Sequence, residues 1–351
     1  MAEINAHYIQ VTTIARNALR QLDELVDSEI KTLFVLDIEK LVGTLTDGDI
    51  RRGLLRGLEI SEGVSLYMNK SFRSLKRADV NPEKLSFYRK QDIWLLPILN
   101  DNTEIEGFIN LKEVQTVIPA AALLMAGGRG ERLRPLTDTV PKPMLKVGDK
   151  PIIEINIDRL IKFGFKRFYI SVRYLSEKII EHLGDGSAKK ISITYLLEDE
   201  PLGTMGACSL IGKLDEEHLL VMNADILTNI DFEDLYNNYK TTNALMCAAS
   251  IPYDVKVPYG IMQTNGNDKV TKLVEKPTYT YYANAGIYLM NKILLSRIPA
   301  NTFYNATDMM QELIDQASGL VHYPILGYWL DIGKYEDFAR AQQDYKHISF
   351  L

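Results

Sequence analysis

An uninterrupted apolar run, Ala120–Met125, ends on the glycine-rich turn Gly127-Gly128-Arg129-Gly130, and this junction constrains the fold of the 351-residue chain more than any other feature. A short, continuously apolar strand is one buried on both faces, as in a parallel sheet. Glycines directly after it let backbone N–H groups approach a phosphate without interference from a Cβ. Downstream, strand-like and helical runs alternate. Ile152–Lys162 reads as a helix with Pro151 at its first position and Gly164 beyond its end, 168–172 as a strand, Ser176–Leu183 as a helix, and 191–197 and 219–222 as strands. This alternation predicts a mostly parallel sheet covered on both faces, with ligands bound outside the carboxyl ends of its strands.

Spacing excludes two phosphate motifs. A Walker loop needs Gly-Lys-Ser/Thr at its end, but Gly130 is followed by Glu131-Arg132; a dinucleotide fingerprint needs a third glycine where Leu133 stands. Taken alone, the turn reads equally well as a tight strand-to-helix connection. The segment after it is basic: Arg129, Arg132 and Arg134, then Lys142 held between Pro141 and Pro143. Arginines and a clamped lysine after a glycine loop suit a polyphosphate.

Composition narrows the rest. The net charge of -6 argues against duplex nucleic acid as a partner. Cys208 and Cys247 offer neither metal spacing nor a disulfide framework, and read as buried thiols of a reducing cytosol. The start, Met1-Ala2-Glu3, shows no leader pattern, and no apolar run approaches the ~20 residues that span a bilayer. A cytoplasmic protein without membrane contact, assembled as a homo-oligomer, is expected.

The first third carries a weak repeat. Residues 33–36 lead through a turn into Leu41-Val42-Gly43-Thr44-Leu45-Thr46-Asp47-Gly48-Asp49; about 64 residues later, 96–99 lead into Ile105-Glu106-Gly107-Phe108-Ile109-Asn110-Leu111-Lys112-Glu113. Each half predicts strand, turn, strand, then a helix capped by Thr46 or Asn110, and each is preceded by a helical stretch, 15–25 or 82–90. The pattern changes at Ile118-Pro119, which places a boundary between 1–118 and 119–351.

The later motifs, taken together, resemble the sugar-1-phosphate nucleotidyltransferases. The resemblance rests on Gly127-Gly128-x-Gly130-x-Arg132-Leu133-x-Pro135-Leu136-Thr137, Pro141-Lys142-Pro143, Glu198-x-x-Pro201-Leu202-Gly203-Thr204-x-Gly206, Asn223-Ala224-Asp225, Tyr259-Gly260, Glu275-Lys276-Pro277, Asn284-Ala285-Gly286 and Trp329-Leu330-Asp331-Ile332-Gly333, in the family's order. It implies an open, Rossmann-like α/β sheet of the glycosyltransferase-A type. It implies transfer of a nucleotidyl group from an NTP to a sugar 1-phosphate with release of pyrophosphate. Asp225 and Asp331 would hold Mg²⁺; Arg132, Lys142 and Asp225 would be catalytic. Ala126, Gly127, Gly128, Gly130, Glu198, Pro201, Gly203 and Thr204 would surround the nucleotide, and Tyr259, Gly260, Glu275, Lys276 and Asn284 the sugar phosphate. Glu198, where thymidylyl enzymes usually carry Gln, points to GTP, because a carboxylate accepts from guanine N1–H and N2–H₂ while uracil and thymine offer only N3–H.

The first-third repeat is similar to a tandem CBS pair, an α+β module. That likeness implies an adenine-nucleotide ribose on Thr46 and Asp49, or else a packing module; Asn110 and Glu113 match only in part. A CBS pair before such a catalytic domain resembles the glucosamine-1-phosphate guanylyltransferases of legionaminic acid synthesis. Mannose or heptose 1-phosphate guanylyltransferases and UTP- or dTTP-using members are the alternatives. A non-catalytic nucleotide sensor is the competing class, opposed by the presence of Asp225, Asp331, Arg132 and Lys142.

Overall fold

The computed structural model describes residues 6–25 and 30–348 and divides into two units, Met1–Val117 and Ile118–Leu351. The start read for a leader, Met1-Ala2-Glu3, lies outside the described residues.

The first unit is a structural duplication. Strands β1 (Tyr8–Gln10), β2 (Thr32–Asp37) and β3 (Lys40–Thr46) form one sheet in that order, with helices α1 (Ala15–Glu24) and α2 (Asp47–Leu55). Strands β4 (Leu75–Lys76), β5 (Leu95–Leu99) and β6 (Ile105–Asn110) form the second, with helix α3 (Pro82–Arg89). In both sheets the first pair is parallel and the second antiparallel, with a register shift at matching points, Val35/Leu36 and Ile98/Leu99. Phe34, Leu36 and Leu41 of one half bury against Leu95 and Leu99 of the other.

The two halves differ after their last strand. Thr46 caps α2 as expected, but residues 111–113 turn instead of opening a helix. Asn110 Oδ1 accepts from Lys112 N at 3.0 Å, and its amide donates to Glu113 at 2.7 Å. Only a few residues, several of them β-branched, separate this turn from Pro119 and the next strand, too few to repay the nucleation of a helix.

The second unit is built on a seven-stranded sheet. Its strands are β7 (Ala120–Met125), β10 (Arg167–Val172), β11 (Ser192–Leu197), β12 (His218–Asn223), β14 (Met246–Lys256), β17 (Thr278–Asn291) and β18 (Leu320–Pro324). Their order is β11-β10-β7-β12-β17-β14-β18, and β17 alone runs against the others. Side chains alternate between two cores: Ala120, Ala122 and Leu124 enter one, Ala121 and Leu123 the other. Helices α4 (Ile152–Lys162), α5 (Ser176–Leu183) and α7 (Phe232–Thr242) cover the first core, and α8 (Ala306–Asp315) the second. Pro151 is the residue before the first turn of α4, with φ −58 and ψ 146, and not its first helical residue; Gly164 follows the helix with φ +86.

Smaller pieces complete the unit. β8 (Lys146–Val147) pairs with β9 (Lys150–Pro151), α6 is the single turn Gly203–Gly206, and β13 (Ile226–Thr228) pairs with β19 (Trp329–Asp331). Helix α9 (Tyr335–Asp344) closes the described chain; residues 349–351 lie outside the described residues. β14 and β17 run on beyond the sheet as a two-stranded ribbon, next to the hairpin of β15 (Ile261–Thr264) and β16 (Val270–Val274).

The chain leaves β7 toward β10 and β11, then returns to place β12 on the other side of β7. This reversal opens a crevice at the carboxyl ends of β7 and β12, the position where open α/β sheets bind ligands.

Candidate active site

The glycine loop leaves β7 at that crevice. Ala126 stays buried and donates its N–H to Ser171 O at 2.9 Å, which ties the loop to β10. Gly130 has φ +64, and a Cβ there would lie 3.0 Å from both Lys142 Cβ and Thr137 Cγ2, so conformation and packing both demand glycine. Thr137 Oγ1 closes the loop by donating to Gly130 O at 2.8 Å. Gly128 is different: a Cβ there would meet no protein atom within 4 Å. Leu133 anchors the loop in an apolar cluster with Leu145, Ile152, Leu227, Leu330 and Ile332.

The same cluster assembles the charged centre. β13 and β19 pair with Ile226 opposite Asp331, and Ile332 N donates to Asp225 O at 3.2 Å. The two aspartates thereby reach one lysine. Lys142 Nζ lies 2.5 Å from Asp225 Oδ2 and 3.7 Å from Asp331 Oδ1. The lysine side chain is 11% exposed, Asp225 21% and Asp331 45%, so the centre opens to solvent on the Asp331 side. Asp225 Oδ1 is buried and has no hydrogen-bond partner. Burial raises the Asp331 carboxyl above its ordinary pKa, with the charge of Asp225 adding to the shift and Lys142 and Arg132 opposing it. Arg132 therefore belongs to this centre; its guanidinium also lies 3.7–3.8 Å from where a Cβ at Gly333 would stand.

The remaining expected residues take distinct places. Glu198 is buried beneath the glycine loop. Its Oε1 accepts from the Ser171 hydroxyl on β10 and its Oε2 from Leu202 N at 3.0 Å, so both oxygens are engaged and tie the turn that carries Leu202 to β10. Gly203 has φ +73, and a Cβ there would lie 2.8 Å from Asn305 Oδ1; its missing side chain thus serves packing. Pro201 is exposed and Thr204 half-buried. Tyr259-Gly260 precedes β15, and a Cβ at Gly260 would lie 2.7 Å from Glu275 Oε2, so the turn rests on that carboxylate. Lys276, exposed, has φ +41. Asn284, on β17, accepts from Gly286 N at 3.0 Å. Among the described residues, no hydrogen bond or ion pair joins Tyr259, Glu275 or Lys276 to the Lys142 centre. In the first unit, Thr46 and Asp49 form a capping box, with Thr46 Oγ1 donating to Asp49 Oδ2 at 2.7 Å.

One positioning residue escaped the sequence reading. Asn156, buried on α4, donates its amide to Ala224 O at 3.3 Å and Ile226 O at 2.9 Å, the carbonyls on either side of Asp225. Its signal was an amide on the apolar face of Ile-Ile-Glu-Ile-Asn-Ile. Trp329 likewise ties the late motif to the Asn284 turn by donating from Nε1 to Ala285 O at 2.9 Å.

A glycine loop at the switch point, with a lysine and two carboxylates gathered at strand ends, is the arrangement of an α/β phosphate-handling protein. Residues 121–348 match the family described as Nucleotidyl transferase, and the chain belongs to it. It is similar to a mannose-1-phosphate guanyltransferase of Yarrowia lipolytica, 33% identical over 223 residues that cover 62% of this chain and 61% of that one. A mannose-1-phosphate guanylyltransferase of Mycobacterium tuberculosis is 29% identical over 228 residues, 64% of each chain. The match thus spans about three fifths of the length of these curated relatives. A Bacillus anthracis crystal structure named as a glucose-1-phosphate thymidylyltransferase, in complex with a sucrose, superposes with a TM-score of 0.53 at 23% identity. It covers 66% of this chain and 97% of that one, a likeness of fold. No described helix is long and apolar enough to cross a membrane.

Proposed function

We propose that the protein transfers a nucleotidyl group from an NTP to a sugar 1-phosphate and releases pyrophosphate. The observation that carries this reading is the convergence of Lys142, Asp225 and Asp331 beside the glycine loop. An attacking sugar phosphate is already anionic at neutral pH, so the reaction needs positioning and charge neutralisation more than a general base. Gly128 leaves the loop backbone open to phosphate oxygens, Gly127 lets the loop lie against Glu198, Arg132 faces the leaving pyrophosphate, and Lys142 the α-phosphate. Glu275, Lys276 and Asn284, with the Tyr259-Gly260 turn, hold the sugar phosphate in this reading.

Asp225 and Asp331 fit a hard divalent cation such as Mg²⁺. Asp225 offers a buried oxygen without a partner, and Mg²⁺ commonly takes one or two carboxylates and completes its shell with water and substrate phosphate. Among the described residues no cluster of three or more His, Cys, Asp or Glu side chains offers an all-protein cage, which suits a metal shared with substrate. When bound, the ion supplies charge neutralisation on the phosphates.

GTP is the proposed donor, supported by the guanylyltransferase relatives; Glu198 no longer carries that choice, because Ser171 and Leu202 N occupy both of its oxygens. Glucosamine 1-phosphate is the proposed acceptor, with mannose and heptose 1-phosphates beside it. In the first unit, we propose an adenine-nucleotide site at Thr46 and Asp49, where the capping box already sets a hydroxyl beside a carboxylate. The deciding experiment is pyrophosphate release with Mg²⁺ across GTP, UTP, dTTP, CTP and ATP, each against a panel of sugar 1-phosphates. Release with GTP and glucosamine 1-phosphate supports the full reading; preference for UTP or dTTP keeps the reaction and removes GTP. Asp225→Ala should lose on the order of 10²–10⁴ in kcat. Near-normal turnover of that variant removes Asp225 from the machinery, and no release with any pair returns the chain to the sensor class.

A further inference from the structure

The two carboxylates that fit a divalent ion already hold a cation belonging to the protein. The Lys142 ammonium sits 2.5 Å from Asp225 Oδ2 and 3.7 Å from Asp331 Oδ1, on a side chain 11% exposed. The stem is confined. Pro141 and Pro143 are buried on either side, and the backbone turns tightly over Lys142–Met144.

The pairing is also incomplete. Asp225 Oδ1 remains buried without a partner, and the contact to Asp331 is long. One ammonium therefore faces two carboxylates and satisfies neither fully, an arrangement that favours a second positive charge only if the first gives way. Cations this close in a half-buried site repel strongly.

We infer that Lys142 is a resident counter-cation that competes with the divalent ion for Asp225 and Asp331, and that it leaves Asp225 when a phosphate offers its ammonium another partner. The inference rests on the metal and nucleotide reading proposed for this site and adds an order to it. The nucleotide-free protein binds metal weakly because Lys142 holds the ligands. An incoming triphosphate draws the lysine off and frees the carboxylates in the same event. The protein thereby keeps the half-buried Asp225 charge compensated between turnovers, where an unpaired carboxylate would be costly.

The test is Mn²⁺ binding to the nucleotide-free full chain, followed by the paramagnetic signal of free Mn²⁺, for the wild type, Lys142→Met, Lys142→Arg and Asp225→Asn. Thermal melts establish that each variant is folded. Lys142→Met should bind Mn²⁺ on the order of tenfold more tightly than the wild type, because the competing charge is gone. Lys142→Arg, which keeps the charge, should stay close to the wild type, and Asp225→Asn should lose the site. Equal Mn²⁺ affinity in the wild type and Lys142→Met overturns the competition while leaving the metal reading intact. Mn²⁺ binding untouched by Asp225→Asn overturns the metal reading, and the inference with it.

Discussion

Asp225 and Asp331, far apart in the chain, reach the same lysine because Ile226 pairs with Asp331 across a two-stranded sheet and Ile332 donates to the Asp225 carbonyl. The backbone pairing sets the carboxylates at neighbouring strand ends. The apolar cluster of Leu133, Leu227, Leu330 and Ile332 beneath holds the glycine loop in the same frame.

Asn156 braces that frame from below, through the carbonyls flanking Asp225. Asn156→Leu leaves two carbonyls in the core without this donor and should cost about 1–3 kcal/mol of stability. It should also lower kcat more than it raises KM for the nucleotide, since it disturbs Asp225 and not the glycine loop. Chemical denaturation and steady-state kinetics on the same preparation measure both. Unchanged kcat in a destabilised Asn156→Leu would leave the residue a purely structural role.

The glycines of the loop separate by experiment. Gly130→Ala forces a Cβ into a left-handed backbone against Lys142 and Thr137, and should destabilise the second unit by about 1–3 kcal/mol and reduce turnover. Gly128→Ala meets no protein atom, so its melting temperature should match the wild type while KM for the nucleotide rises. Equal melting temperatures for the two variants would contradict this packing account.

Acid should destabilise the second unit through His218. The imidazole is buried between Tyr236 and Tyr239, and burial lowers its pKa below the ordinary 6.5, outweighing the nearby Glu217. A histidine with a depressed folded pKa takes up its proton preferentially when unfolded. Its contribution is therefore complete above about pH 6.5 and declines as pH falls toward the folded pKa. Denaturation midpoints between pH 7.5 and 5 should fall more steeply in the wild type than in His218→Phe; parallel curves would assign the acid sensitivity elsewhere.

The ribbon of β14 and β17 carries a fourth prediction, on the expected self-association. Its register puts Ile251, Tyr253, Val255, Tyr279, Tyr281 and Ala283 on one face, and Ser250, Pro252, Asp254, Lys256, Thr278, Thr280, Tyr282 and Asn284 on the other, which alone carries charge. Tyr253 and Tyr281, directly paired, are 61% and 60% exposed. A two-stranded ribbon is marginal by itself in water, and its uncharged face suits a second copy of the chain. Light scattering after size exclusion should show a dimer or larger species, shifted toward monomer in Tyr253→Ser/Tyr281→Ser. A monomeric wild type would remove this role.

Much of this architecture was written locally. The apolar run at 120–125, the glycine turn and the helix at 152–162 depend on nearest-neighbour patterning, and each formed close to where the sequence placed it. The N-terminal repeat also carried into two sheets of identical pairing, except where the chain after Asn110 was too short for a helix. The ribbon was not legible, because its alternation of tyrosines and polar residues looks the same whether a strand lies in a sheet or extends beyond one. For Glu198, the sequence supplied a carboxylate near the loop, and only packing decided that both its oxygens are engaged by Ser171 and Leu202. The sequence by itself determined which residues could carry charge and where the backbone could turn. Tertiary structure alone decided that Lys142, Asp225 and Asp331 meet, because the pairing of β13 with β19 and the apolar contacts beneath it arise between segments that no local pattern connects.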